Sequence, residues 1–198
     1  MCTLTRRGAM AVLIPLAAAF RALAVKVGEP MPHFVVRTMD GERITNDSVK
    51  GKVLLIEFWA TWCPPCMSDQ PVVEDLLKEF EKDGLIVLAV NMGEPRRRVK
   101  KYLQESPRAS KIALAEDTTL SAIWDANSYP LYVLVNRDGN IAGVQRGAAR
   151  QGALRRLLSE AGLGMRVEAR PSGRQFRNGR RLIDPEDIFC RVPVKDEP

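Results

Sequence analysis

Histidine is nearly missing from this chain, with His33 the single example in 198 residues. That scarcity argues against a structural zinc site, because the close pair Cys63 and Cys66 lacks the further Cys or His ligands such a site requires. Long apolar runs are missing too: the stretch from Ala9 to Phe20 is too short to span a bilayer comfortably. A large excess of one charge is also lacking. The formal net charge is +6, and the first 24 residues hold Arg6, Arg7 and Arg21 with no acid, so the remainder carries +3. Nucleic acid is therefore not an expected partner. The Pro-x-x-x-Thr-x-x-Cys arrangement of thiol peroxidases does not occur. At 45% hydrophobic residues, a chain of this size can bury one good core and is short for two full domains.

What is present begins with an export layout. Arg6 and Arg7 precede the apolar stretch, which ends in the small-residue site Ala22-Leu23-Ala24, so residues 1–24 read as a signal peptide. Thr5-Arg6-Arg7 also resembles a twin-arginine start, although Gly8-Ala9-Met10 lacks the usual apolar pair. The expected location is the periplasm, an oxidising space. Residues 25–164 then form the folded domain. Residues 165–198 form a basic tail, rich in Arg, Gly and Pro, with room for one added hairpin. Cys2 leaves with the signal. Cys190, in the tail, is either an idle buried thiol or a third redox or bridging cysteine.

The chemistry concentrates in Trp59-Ala60-Thr61-Trp62-Cys63-Pro64-Pro65-Cys66. It follows Val53-Leu54-Leu55-Ile56-Glu57-Phe58-Trp59, a near-continuous apolar run of the kind found in a strand covered on both faces. Beyond it, Val72, Val73, Leu76, Leu77 and Phe80 recur at helical spacing. Cys63 therefore sits where a strand hands over to a helix, beside unpaired N–H groups and the positive end of the dipole. Those surroundings favour a thiolate nucleophile, and Cys66, one turn on, is placed to resolve the mixed disulfide. Pro64 and Pro65 remove two donors and stiffen the loop. Glu57 stands out, because an ionised carboxylate in an apolar run is costly to desolvate unless it has work or a partner, or reaches solvent at the strand end.

Along the chain, a short strand is expected at His33 to Arg37 with a turn at Asp40-Gly41, and a buried strand at Leu85 to Val90. Pro95 opens a basic helix with Arg96-Arg97-Arg98 and Lys100-Lys101, whose default reading is a solvated face. A strand at Lys111 to Ala115 and a helix at Thr118 to Trp124 follow. Leu131 to Val135 and Ile141 to Gln145 form a hairpin, and a helix at Gln151 to Ala161 ends at Gly162.

From about Val27 to Gly162 the chain resembles thioredoxin-fold thiol-disulfide oxidoreductases of the TlpA/ResA type (the TlpA-like family). The matching features are Phe58 through Cys66, Gly51-Lys52, Pro71 and Tyr129-Pro130. The resemblance implies an α/β thioredoxin fold, a central mixed sheet flanked by helices, with an extra hairpin ahead of it. It implies reduction of disulfides in cysteine-containing client proteins, in cytochrome c maturation or copper-site assembly, with a membrane thiol electron donor. No cofactor is implied beyond the redox-active Cys63–Cys66 disulfide, and no metal. Glu57 occupies the position where thioredoxins keep a buried acid, which suggests that it accepts or relays the Cys66 proton. Trp62, Tyr129 and Pro130 take the position of the client-binding surface, and the Tyr129-Pro130 bond is expected to be cis. Asp69 stands where ResA-type members carry a glutamate. The competing reading is a Cu(I) metallochaperone using Cys63, Cys66 and Met67 or His33.

Overall fold

The computed structural model describes residues 25–124 and 126–164, with the backbone of 176–177 and 180–181. Its centre is the apolar run already noted: all seven residues of Val53–Trp59 are buried, so water reaches neither face of that strand.

The described residues from 25 to 164 belong to one compact unit. Its strands are β1 (Val35–Thr38), β2 (Arg43–Thr45), β3 (Val53–Trp59), β4 (Leu85–Asn91), β5 (Lys111–Thr118), β6 (Leu131–Val135) and β7 (Ile141–Arg146). They make one sheet in the order β2-β1-β5-β4-β3-β6-β7. β3 runs parallel to β4 and β4 to β5, whereas β6 joins β3 antiparallel and β7 joins β6 antiparallel. The helices are α1 (Pro64–Phe80), α2 (Arg96–Glu105), α3 (Leu120–Trp124) and α4 (Gln151–Ser159). This is the mixed, helix-flanked sheet that the resemblance implies. The hairpin of β1 and β2 is the added element ahead of it.

Alternation along β3 assigns its side chains to two cores. Val53 and Leu55 face α1 and α4, packing with Val73, Leu76, Phe80, Leu154 and Leu158. Leu54, Ile56 and Phe58 face the other way, toward Phe34, Leu120, Trp124 and Val133. Each such side chain contributes about 1.5–3 kcal/mol of burial free energy. Glu57 and Trp59 have the parity of Val53 and Leu55, so both lie on the sheet face covered by α1, the helix that is capped by Cys63 and contains Cys66. α4 comes down tightly on β7: a Cβ at Gly143 would stand 2.6 Å from Leu157 Cδ1.

Several boundaries differ from the sequence reading. β1 begins at Val35 and ends at Thr38. β5 runs to Thr118 because, past the end of β4, it pairs with β1, Thr118 opposite Val36. α3 consequently starts at Leu120, whose N–H donates to Thr118 Oγ1 at 3.1 Å. α4 stops at Ser159, where the Ala161 and Gly162 amides close turns onto Leu158 and Ser159. Residues 165–198 form a second unit, in which Phe176–Arg177 and Arg180–Arg181 pair antiparallel. The expected signal peptide, Cys2 and Cys190 lie outside the described residues. No helix among the described residues is long and apolar enough to cross a membrane.

Candidate active site

The sequence puts two prolines immediately after Cys63, and this fixes where α1 begins. Pro64 and Pro65 lack the N–H groups that a first helical turn leaves unpaired, so they cost nothing there. Cys63 becomes the N-cap: its Sγ accepts the Cys66 N–H at 3.2 Å, and its carbonyl accepts the Met67 N–H at 3.1 Å. Cys63 and Cys66 are joined in a disulfide, with Cα atoms 5.3 Å apart. Both are buried, Cys63 at 3% exposure and Cys66 at 0%, so Cys63 keeps the small remaining opening to solvent.

The rim beside the disulfide is apolar and open. Trp62 is 58% exposed and meets the Tyr129 ring edge-on, centroids 6.0 Å apart. Met67 is also exposed. Tyr129 is half-buried and packs against the cluster that contains Cys63 and Cys66. The Tyr129-Pro130 bond is cis, and the buried Pro130 accepts the Gly147 N–H through its carbonyl. Trp62 and Tyr129, both named from sequence, are thus brought together with the two cysteines.

Glu57 does not reach solvent at the strand end; it is fully buried. Its Oε2 accepts from Arg108 Nη1 at 2.9 Å, and its Oε1 has no hydrogen-bond partner among the described residues. Burial pushes the carboxyl up to about 7; the Arg108 charge and hydrogen bond oppose this, and the carboxylates of Asp69 and Glu74 add to it. Tyr132, opposite Glu57 in the β3–β6 register, donates its hydroxyl to Asp69 Oδ2 at 3.1 Å. Burial first, then the charges of Glu57 and Asp69, hold that phenol far above its ordinary range. Asp69 Oδ2 also accepts the Ala149 N–H at 2.6 Å, so its short side chain is spent tying α1 to the segment before α4.

Two functional candidates carried no sequence signal. Arg108, in the loop before β5, is 1% exposed in its side chain and lies 3.9 Å over the Trp59 ring. Glu94, after β4, accepts from the Thr61 N–H and hydroxyl at 2.6 Å each, and from Asn91 Nδ2 at 2.8 Å. Arg98 pairs with it at 2.9 Å. Burial would raise Glu94, but the bonds from Thr61 and Asn91 and the Arg98 charge outweigh it and hold the carboxyl below its usual value. Glu94 thereby anchors the backbone two residues before Cys63. The basic face of α2 is solvated, and two of its exposed arginines also form ion pairs, Arg96 with Asp117 and Arg98 with Glu94. Among the described residues, no three His, Cys, Asp or Glu side chains are grouped as a metal site would need.

The chain that builds this site has clear counterparts among known proteins. The Redoxin family model matches residues 26–159. The thiol-disulfide oxidoreductase ResA of Halalkalibacterium halodurans is 30% identical over 127 residues, 64% of this chain and 72% of its own. That of Bacillus subtilis is 29% identical over 124 residues, 63% of this chain and 69% of its own. The crystal structure of a thiol:disulfide interchange protein of the thioredoxin family from Chlorobium tepidum aligns with a TM-score of 0.60 at 26% identity, covering 69% of this chain and 97% of that one. The chain therefore belongs to the Redoxin family, and within it is a TlpA-like thiol-disulfide oxidoreductase with a Cys63–Cys66 pair.

Proposed function

We propose that the protein is an exported reductase of client disulfides. In the reduced enzyme the Cys63 thiolate attacks a client sulfur, the client S–S bond breaks with its electron pair leaving on the other client sulfur, which takes a proton from water, and a Cys63–client mixed disulfide forms. Cys66 then loses its proton to Glu57 and attacks Cys63. The Cys63–client bond breaks, and the second client sulfur leaves with the electron pair and is protonated. The client has gained two electrons and two protons, and the enzyme ends as the Cys63–Cys66 disulfide. A membrane thiol donor returns it to the dithiol by the same exchange in reverse. Trp62, Tyr129 and Pro130 bind the client segment beside its cysteine.

The observation that carries this reading is the fully buried Glu57, on the sheet face beneath the helix that holds Cys66. A carboxyl raised to about 7 exchanges protons at neutral pH, which suits it to general base work on a thiol. Clients with paired cysteines, in cytochrome c maturation or copper-site assembly, fit a periplasmic reductase of this group. The export reading rests on Arg6, Arg7 and the apolar stretch after them.

The test is a Cys66→Ala trap, in which Cys63 holds its client as a stable mixed disulfide for mass spectrometry. Haem-attachment polypeptides in the trap would assign the protein to cytochrome c maturation, and copper-site polypeptides to oxidase assembly. A trap that retains no cysteine-containing protein, with no insulin reduction by the purified wild type, overturns the reading.

A further inference from the structure

The loop between α2 and β5 sends the Arg108 side chain into the interior, and several contacts aim it. Gln70 of α1 donates through Nε2 to the Pro107 carbonyl at 3.2 Å, and its Oε1 accepts from the Tyr102 and Ser106 hydroxyls. Glu74, one turn further along α1, accepts the Ala109 N–H at 2.8 Å. The helix that carries Cys66 thus grips the chain on both sides of Arg108. The guanidinium is driven under the helix, over the Trp59 ring and against Glu57.

Fold stability alone does not account for this. A buried ion pair roughly balances its attraction against the cost of desolvating both ions, and well-packed apolar residues of similar volume serve a core as well or better. Here the pair is also incompletely bonded: Arg108 Nε and Nη2, and Glu57 Oε1, have no hydrogen-bond partner among the described residues. The incompleteness is directional, since Arg108 occupies Oε2 of Glu57 and leaves Oε1 open.

We propose that Arg108 is the positioning residue of the exchange reaction, holding Glu57 by Oε2 as an anion so that Oε1 can take the Cys66 proton. This rests on the reading of Glu57 as the proton acceptor. In the resolving step the Cys66 S–H bond breaks and its proton goes to Oε1. The Cys66 sulfur bonds to Cys63, and the Cys63–client bond breaks with its electron pair leaving on the client sulfur, which is protonated by water.

Among the described residues, Arg108 is the one positive charge that acts on Glu57. Asp69 and Glu74 face it from α1 and raise it. Tyr132 faces it from β6, and the residue beside it on β4 is Ala89, which does not titrate. Without Arg108, burial and two neighbouring carboxylates would all keep Glu57 protonated, and a protonated carboxyl cannot accept the thiol proton.

The test uses the full chain with Cys63 loaded as its mixed disulfide with 2-nitro-5-thiobenzoate, following release of the coloured thiolate by Cys66 across pH. In the wild type the rate should show an inflection set by Glu57, and Glu57→Gln should remove it. Arg108→Gln should move the inflection upward by at least about one pH unit, slowing release about fivefold or more at pH 7, with the wild-type rate recovered in alkali. Arg108→Lys, which keeps the charge, should leave the inflection within about half a unit. Suppose Glu57→Gln removes the inflection while Arg108→Gln leaves it in place: the role of Arg108 is then wrong and the relay stands. An inflection that survives Glu57→Gln removes the relay itself and the inference with it. Should Arg108→Gln fail to fold, Arg108→Lys decides, because an inflection displaced by a full unit with the charge retained overturns the proposal.

Discussion

The dithiol loop is flanked by two buried carboxylates that are bonded in opposite ways. Glu94, behind Thr61, has both oxygens engaged, by Thr61 twice, by Asn91 and by Arg98. Glu57, beneath α1, has one oxygen engaged by Arg108 and the other by nothing among the described residues. Burial would raise both acids. In Glu94 the donors win and the carboxyl stays below its ordinary value; in Glu57 burial wins and the carboxyl rises to about 7. The number of donors therefore separates an acid that stays charged and fixes a loop from one that can change its protonation near neutral pH.

The largest effect that would break this contrast is in rate. If Glu57 is the base for Cys66, Glu57→Gln should slow resolution of a client mixed disulfide by about 10²-fold or more at pH 7, measured by stopped-flow release. Initial alkylation of Cys63 should change little, because its helix N-cap is untouched. A loss confined to Cys63 alkylation would place the work of Glu57 elsewhere.

Stability against pH sharpens the same contrast. Glu57 is raised from 4.5 to about 7, so its contribution is fully present below 4.5 and is lost as pH rises through 7, amounting to about 3 kcal/mol. Urea midpoints should fall between mildly acid and mildly alkaline pH, and Glu57→Gln should flatten that fall. Glu94 has the opposite sign: its contribution is present above the ordinary glutamate range and lost as pH drops through the lowered value. Glu94→Gln should cost about 1–3 kcal/mol at neutral pH, read from denaturation midpoints. It should slow exchange by loosening the residues before Cys63 without moving the pH inflection. A moved inflection would mean that the two acids are not separate devices.

What sequence could and could not disclose follows from the reach of these contacts. β3 was legible because an apolar run covered on both faces needs no knowledge of its neighbours, and the start of α1 because Pro64 and Pro65 are tolerated only in a first turn. Cys63, Cys66 and Trp62 lie within that one local stretch. Glu57 was legible as an anomaly, but its partner was not: Arg108 is 51 residues away in a loop whose aim depends on Gln70 and Glu74. Glu94 is 33 residues from Thr61, and its sequence neighbours, a run of arginines, read as a solvated helix face. The extent of β5 was misjudged for a related reason, since its last residues are held by β1 and not by their own pattern.

Arg98 offers the mildest test of the contrast. Its guanidinium pairs with Glu94 at 2.9 Å, but the side chain is 59% exposed, so water and salt screen the attraction. Glu94 would still keep the bonds from Thr61 and Asn91 after Arg98→Ala, and those bonds, which are shielded from solvent, do most to hold the carboxyl low. The expected loss is a few tenths to about 1 kcal/mol in denaturant midpoints, smaller at high salt, with the exchange profile unmoved. A loss as large as that of Glu94→Gln, independent of salt, would show instead that Glu94 depends on one cation as Glu57 does on Arg108. The contrast between a fully bonded acid and a half-bonded one would then collapse into two versions of the same ion pair.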